Sequence, residues 1–189
     1  LSDRRQRQMC IRDSTNIFLK KYINSQKYSQ LKSPMKYGLF PGGKKIRSKI
    51  LIDLGSLFSI DYKTLIIVGS AVECIHAYSL IHDDLPCMDD DDIRRGKPST
   101  HIKFGESTAV LAGNSLLTLA FEILSSPKLK LNEKIKINLI KKLSECSGHL
   151  GIAGGQYLDL SSKWPSFLLG NSPSTDCLLI FSIFPFIIF

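Results

Sequence analysis

Apolar residues recur at three- and four-residue steps through most of the chain, the period of helices that bury one face. Ile17, Leu19 and Tyr22 open a short amphipathic stretch. Leu39-Phe40-Pro41-Gly42-Gly43 breaks the pattern, because Pro and Gly punctuate helices. After the break, Ile46, Ile50, Leu51, Leu54, Leu57 and Phe58 fall on one predicted helix face. Residues 65–85 predict a long helix with Val68, Val72, Ile75, Ser79 and His82 along one stripe, and Pro86 ends or bends it. Residues 107–125 are almost wholly apolar and predict a central helix. A last helix pair runs from about Glu133 to Leu160, broken near Gly148–Gly151. No stretch alternates in the manner of a half-buried strand, so the predicted fold class is all-α.

The two ends differ from this middle. Residues 1–14 are polar and without apolar period, and are expected to lie outside the fold as a disordered tail or an artefact of cloning or sequence assembly. Residues 15 to about 160 carry the helical pattern. Residues 161–189 begin with Pro and Ser and finish in the 13-residue apolar run Cys177–Phe189, with Pro185 inside it. A spanning helix needs about 20 residues. No stable membrane span is therefore expected, and out-of-frame coding sequence is the expected origin of this tail. A membrane-surface anchor is the other reading, although the run has no basic polar face.

Bulk composition adds little to the fold. Of 189 residues, 43% are hydrophobic and 22% charged, which suits one globular domain with a sizeable core. The formal charge of +8 suits nucleic acid, an anionic membrane or a small polyanionic substrate, or else a merely soluble Lys-rich surface. The lysines are scattered with no interleaved aromatics, so no nucleic-acid partner is expected. Five cysteines, an odd number without a CxxC pair, imply neither a disulfide framework nor a cysteine zinc site. They fit reduced thiols in a cytoplasmic protein, and the opening Leu1-Ser2-Asp3-Arg4-Arg5 lacks the apolar run of a signal peptide.

The chemistry concentrates at the end of the long helix. Asp83, Asp84 and Asp89–Asp92 put six carboxylates within ten residues. Like charges this close raise one another's pKa unless a cation neutralises them. Carboxylate oxygens suit Mg²⁺, which takes one or two protein carboxylates and keeps positions for water and phosphate. Asp83 and Asp84 close the helix, Pro86 turns the chain, and Asp89 can return to the same metal. A solvated acidic loop is the structural alternative, and the ligand spacing of a Ca²⁺ loop is absent. Arg94 and Arg95 follow, as diphosphate clamps or as charge balance for Asp90–Asp92. Upstream, Gly42-Gly43-Lys44-Lys45-Ile46-Arg47 places flexible backbone and three cations at a helix start, which suits an anion or a solvated first turn. His76 lies two turns before Asp83 on nearly the same face, and alone suits a core histidine as well as a ligand contact.

Together these residues resemble bacterial-type farnesyl diphosphate synthases of the trans-isoprenyl diphosphate synthase family. The matching segments are GGKKIR at 42–47, the stretch from Glu73 to His101, KFGESTAVLAGNSLL at 103–117 and GGQYLDL at 154–160. The resemblance covers residues 15 to about 160 and implies the N-terminal half of an isoprenoid-synthase helical bundle. It implies a Mg²⁺-dependent prenyltransferase that condenses isopentenyl diphosphate with an allylic diphosphate (dimethylallyl or geranyl). It assigns Asp83, Asp84 and Asp89 to Mg²⁺ and the allylic diphosphate, with Arg94 as a further contact. Lys44, Arg47, His76 and Arg95 match the isopentenyl diphosphate site. Gln156 and Asp159 match a segment facing the same cavity, and Tyr78 with Ser79 matches the region that limits product length. Plain core packing is the alternative for Tyr78. A homodimer is implied for the intact family member. Geranyl and geranylgeranyl synthases share most of these residues, and a non-catalytic Mg²⁺- and diphosphate-binding protein is the remaining alternative. Ser48 and Asn114 stand where Pro and Asp are usual. The family's second aspartate-rich motif and its Lys-Thr pair are absent, so a truncated chain without activity of its own is expected.

Overall fold

The computed structural model describes residues 2–40 and 43–162. Helices α1 (Ser2–Ser25), α2 (Lys32–Leu39), α3 (Ile46–Leu57) and α4 (Tyr62–Asp83) come first. A two-stranded hairpin follows, β1 (Ile93–Arg94) and β2 (Lys97–Pro98), and then α5 (Thr100–Phe104), α6 (Glu106–Ser125), α7 (Glu133–Ser147) and α8 (Ile152–Ser162).

Helix α4 is the axis of the fold because it is apolar all round, which demands burial on every side. Leu65 to Ile75 is one continuous buried run, and Ala77, Tyr78 and Ile81 extend it. Asp61 starts the helix by accepting a hydrogen bond from the Thr64 amide at 2.9 Å. Helix α6 packs along α4 and buries Ala109, Ala112, Leu116, Leu119, Ala120 and Ile123. Small residues on this seam let the backbones approach. At Gly113 an added Cβ would fall 2.2 Å from the His82 imidazole. Helices α1, α2 and α3 cover α4 from other sides. By length and composition α4 and α6 could each cross a membrane, but 83% of the α4 window is buried inside the protein.

Three expectations change. The stretch 1–14 is not outside the helical pattern: α1 begins at Ser2, and Ile11 is buried in the core cluster. Its polar sequence hid this, since Met9, Cys10 and Ile11 are consecutive and show no helical period. On α3 the buried residues are Ser48, Leu51, Ile52 and Gly55, so of the predicted face Leu51 is buried and Leu54 half-buried. Ile46, Ile50, Leu57 and Phe58 are exposed, because Gly55 and Ser48 let α4 approach on the other side. Finally, a small hairpin interrupts the helices. Ile93 pairs with Pro98 and Arg94 with Lys97. Arg95 and Gly96 both take positive φ, 55° and 73°, as a two-residue type I′ turn requires. The apolar run Cys177–Phe189 lies outside the described residues.

Candidate active site at the end of the central helix

The C-terminus of α4 carries Asp83, with Asp84 as its cap. A helix C-terminus is the negative end of the backbone dipole, so two carboxylates there are placed against the field. The following loop folds back: the Asp89 amide donates to the Asp83 carbonyl at 2.9 Å and the Asp90 amide to the Leu85 carbonyl at 3.1 Å. Burial pushes the Asp83 carboxyl up to about 6, opposed by the Gln156 hydrogen bond and raised further by the Asp89 charge. Burial also raises Asp84, against the lowering influence of Arg94. In both carboxyls burial outweighs the hydrogen bonds and cations that favour the ionised form.

Arg94 answers Asp84. Its Nε donates to Asp84 Oδ1 at 2.7 Å, its Nη2 reaches the same oxygen, and Asp91 lies 3.3 Å away. The hairpin supplies this geometry by turning the chain back toward the end of α4. Arg94, Asp84 and Arg95 share a pocket with Tyr37, Gly38 and Ser99.

A second cleft opens beside it, about 420 Å³ including its mouth. Lys44, Arg47, His76 and Arg95 all line it, so the four residues assigned by resemblance to one diphosphate meet in space. They come from the start of α3, the middle of α4 and the hairpin turn. Arg95 lies against Gly43, where an added Cβ would fall 2.4 Å from Nη1. Gly42 of the same segment lies outside the described residues. Burial and the charges of Arg47, Arg95, Lys45 and Arg94 lower His76 to about 3, so its imidazole is neutral. Its Nδ1 is buried with no hydrogen-bond partner.

Lys45 takes a different part from its neighbour Lys44. It is buried with φ 48°, donates to the Leu39 carbonyl at 2.8 Å, and lies 3.7 Å from Glu73. Glu73, 2% exposed, also accepts the Ser48 amide at 3.0 Å. This buried pair anchors the start of α3 to α4 and was missed in the sequence reading. A lone Glu inside an apolar helix was the available signal.

From α8, Gln156 reaches across to donate to Asp83 Oδ1 at 2.5 Å, and half-buried Asp159 lies one turn on. Tyr78 is buried on α4, edge-on to His82 with ring centroids 5.1 Å apart. Ser79 donates its hydroxyl to the His76 carbonyl at 3.0 Å. Among the described residues, the acidic group whose ligand atoms all lie within 4.8 Å of one another is Asp90, Asp92 and His101. Asp83, Asp84 and Asp89 are not drawn together to that extent.

Comparison with known proteins identifies the family. Residues 28–171 match the Polyprenyl synthetase family, eleven residues past the end expected near Leu160. The chain is 50% identical over 130 residues to a farnesyl diphosphate synthase of Escherichia coli K12, covering 68% of this chain and 44% of that protein. It is 46% identical over 134 residues to a farnesyl diphosphate synthase of Bacillus subtilis, covering 70% of this chain and 45% of that one. The chain thus spans less than half the length of these curated relatives. Among solved structures, a geranyltransferase from Legionella pneumophila superposes with a TM-score of 0.88 at 37% identity, over 97% of this chain and 67% of that one. An FPP/GFPP synthase from Zymomonas mobilis gives 0.84 at 35%, with the same coverage.

Proposed function

Because the chain belongs to the polyprenyl synthetase family, we propose that it forms one wall of a prenyltransferase site that joins isopentenyl diphosphate to dimethylallyl or geranyl diphosphate, giving farnesyl diphosphate. The observation that carries this reading is the meeting of Lys44, Arg47, His76 and Arg95 in one cleft beside the carboxylates that end α4.

The donor set fits a hard divalent cation. Asp83 and Asp84 are carboxylates held at the negative end of a helix, with Asp83 pushed up to about 6 by burial and by the neighbouring Asp89 charge. Asp83, Asp84 and Asp89 would hold Mg²⁺, which when bound neutralises the charge developing on the departing diphosphate. Arg94 takes part in the same neutralisation by exchanging Asp84 for diphosphate oxygens. Lys44, Arg47 and Arg95 bind the diphosphate of isopentenyl diphosphate, and guanidinium groups grip such oxygens in pairs. The neutral His76 offers its unpartnered nitrogen to the same group. No protein nucleophile is needed, since the electrons come from the isopentenyl double bond. Gln156 holds Asp83 in place, and buried Tyr78 with Ser79 sets the depth of the apolar pocket and hence product length.

The 189 residues contain one aspartate-rich motif, so the expected behaviour of this chain alone is binding without turnover. We place the reaction in the cytoplasm and infer that the intact enzyme pairs as a homodimer. The test supplies labelled isopentenyl diphosphate, geranyl diphosphate and Mg²⁺ to the protein extended to the length of its relatives. A C15 diphosphate product that disappears with Asp83→Ala supports the assignment. Undiminished product from that variant would overturn it.

A further inference from the structure

Asp90, Asp92 and His101 belong to none of the roles above, yet their ligand atoms converge within 4.8 Å. His101 is 6% exposed, and neither ring nitrogen has a hydrogen-bond partner. A buried imidazole with both nitrogens unsatisfied is costly, and such groups in a native fold ask for an occupant. The carboxylates of Asp90 and Asp92 are exposed and lie on the solvent side of it. The backbone has already brought the two ends of the loop together. The Ser99 amide donates to the Asp92 carbonyl at 2.8 Å and the Ser99 hydroxyl to the Asp91 carbonyl at 2.5 Å, two residues before His101. Asp90 takes φ 55°, so the loop is specifically bent where its side chain leaves it.

We propose that Asp90, Asp92 and His101 form a second divalent-cation site, beside the carboxylates of the diphosphate centre but with its own ligands, that clamps the base of the hairpin bearing Arg94 and Arg95. One imidazole nitrogen with two carboxylate oxygens selects a borderline ion of the Zn²⁺ class over Mg²⁺, because imidazole suits zinc and Mg²⁺ prefers an all-oxygen shell. Three protein ligands leave the fourth tetrahedral position to water. The three ligand atoms, all within 4.8 Å of one another, already stand near enough to share one ion. Between the ligands lie the turn residues Arg95 and Gly96, and an occupied site would hold both arginines in register with the end of α4.

The test titrates the chain with Zn²⁺ against a chromogenic chelator in the presence of excess Mg²⁺, which occupies the diphosphate-associated carboxylates. The expected result is one Zn²⁺ per chain that Mg²⁺ does not displace. The double variant Asp90→Asn/Asp92→Asn, both residues being exposed, keeps the fold and loses at least about tenfold in Zn²⁺ affinity, as ligand removal should. His101→Gln gives the same loss if it folds, and Asp83→Asn leaves Zn²⁺ affinity unchanged. Zn²⁺ binding that survives the double variant, that Mg²⁺ abolishes, or that vanishes in Asp83→Asn instead would overturn the proposal, as would no Zn²⁺ uptake at all.

Discussion

The side-chain amide of Gln156 donates to the carboxylate of Asp83 at 2.5 Å, bridging 73 positions of sequence and tying α8 to the end of α4. The bond stabilises the ionised carboxylate and works against the burial that raises it. Gln156→Ala should therefore raise the Asp83 pKa further and weaken Mg²⁺ binding at neutral pH. A hydrogen bond to a charged group contributes about 1.5–3 kcal/mol, and Asp83's partial exposure places this one at the lower end or below, so a loss of about threefold to tenfold is expected. Calorimetric Mg²⁺ titration of the two proteins checks it.

Mg²⁺ affinity should depend on pH around the Asp83 midpoint. The folded-state pKa, about 6, lies above that of the unfolded chain, so the metal-free fold binds this proton more tightly than the unfolded chain does. The group's contribution to stability is present at low pH and is lost as pH rises through about 6. A bound cation reverses the preference by favouring the ionised form. Mg²⁺ affinity should then be flat above that midpoint and fall as pH drops through it, with proton release on binding. In Asp83→Asn the release should disappear, which calorimetry in buffers of different ionisation enthalpy would detect.

Glu73 holds the start of α3 through Lys45 and the Ser48 amide, with both charges buried. Removing one partner leaves the other buried and unpaired. Glu73→Ala should destabilise the protein by about 3 kcal/mol, as breaking buried pairs does. The double variant Glu73→Leu/Lys45→Met should cost less than the single one. Urea unfolding midpoints of the three proteins measure this, and an equal cost for single and double variants would argue against the coupling.

Gly43→Ala separates stability from binding. The added Cβ would meet the tip of the Arg95 side chain, which can swing away. Thermal stability should change by no more than about 0.5 kcal/mol, typical of a surface substitution. Diphosphate affinity should fall about tenfold, because one charge-assisted contact is misplaced. Urea unfolding and titration with inorganic pyrophosphate read the two effects independently.

Much of the fold was legible in the sequence. The boundaries of α4, α6, α7 and α8 lie within a few residues of those expected, since long apolar runs and Gly148–Gly151 fix them locally. The buried face of α3 was not legible, because apolar periodicity cannot show that Ser48 and Gly55 give α4 its closest approach. Helix α1 extends through a polar segment whose apolar residues Met9, Cys10 and Ile11 are consecutive and carry no helical period. The hairpin was missed because two-residue strands have no pattern, although Arg95-Gly96 has the glycine of a tight turn. At the site, residue types alone left Lys44, Arg47 and His76 open; the family resemblance grouped them with Arg95, and the fold brings these separate segments into one cleft. The separation of Lys44 from Lys45, one facing the cleft and one buried against Glu73, follows from the left-handed backbone at Lys45.

The most direct measurement is calorimetric titration of the chain with isopentenyl diphosphate in Mg²⁺ buffer, repeated for Lys44→Ala and Arg47→Ala. Saturable binding is expected, weakened at least about tenfold by each substitution, equivalent to about 1.4 kcal/mol per lost charge contact. Absence of binding by the folded chain, or equal affinity in all three proteins, would contradict the assignment of this cleft to a diphosphate.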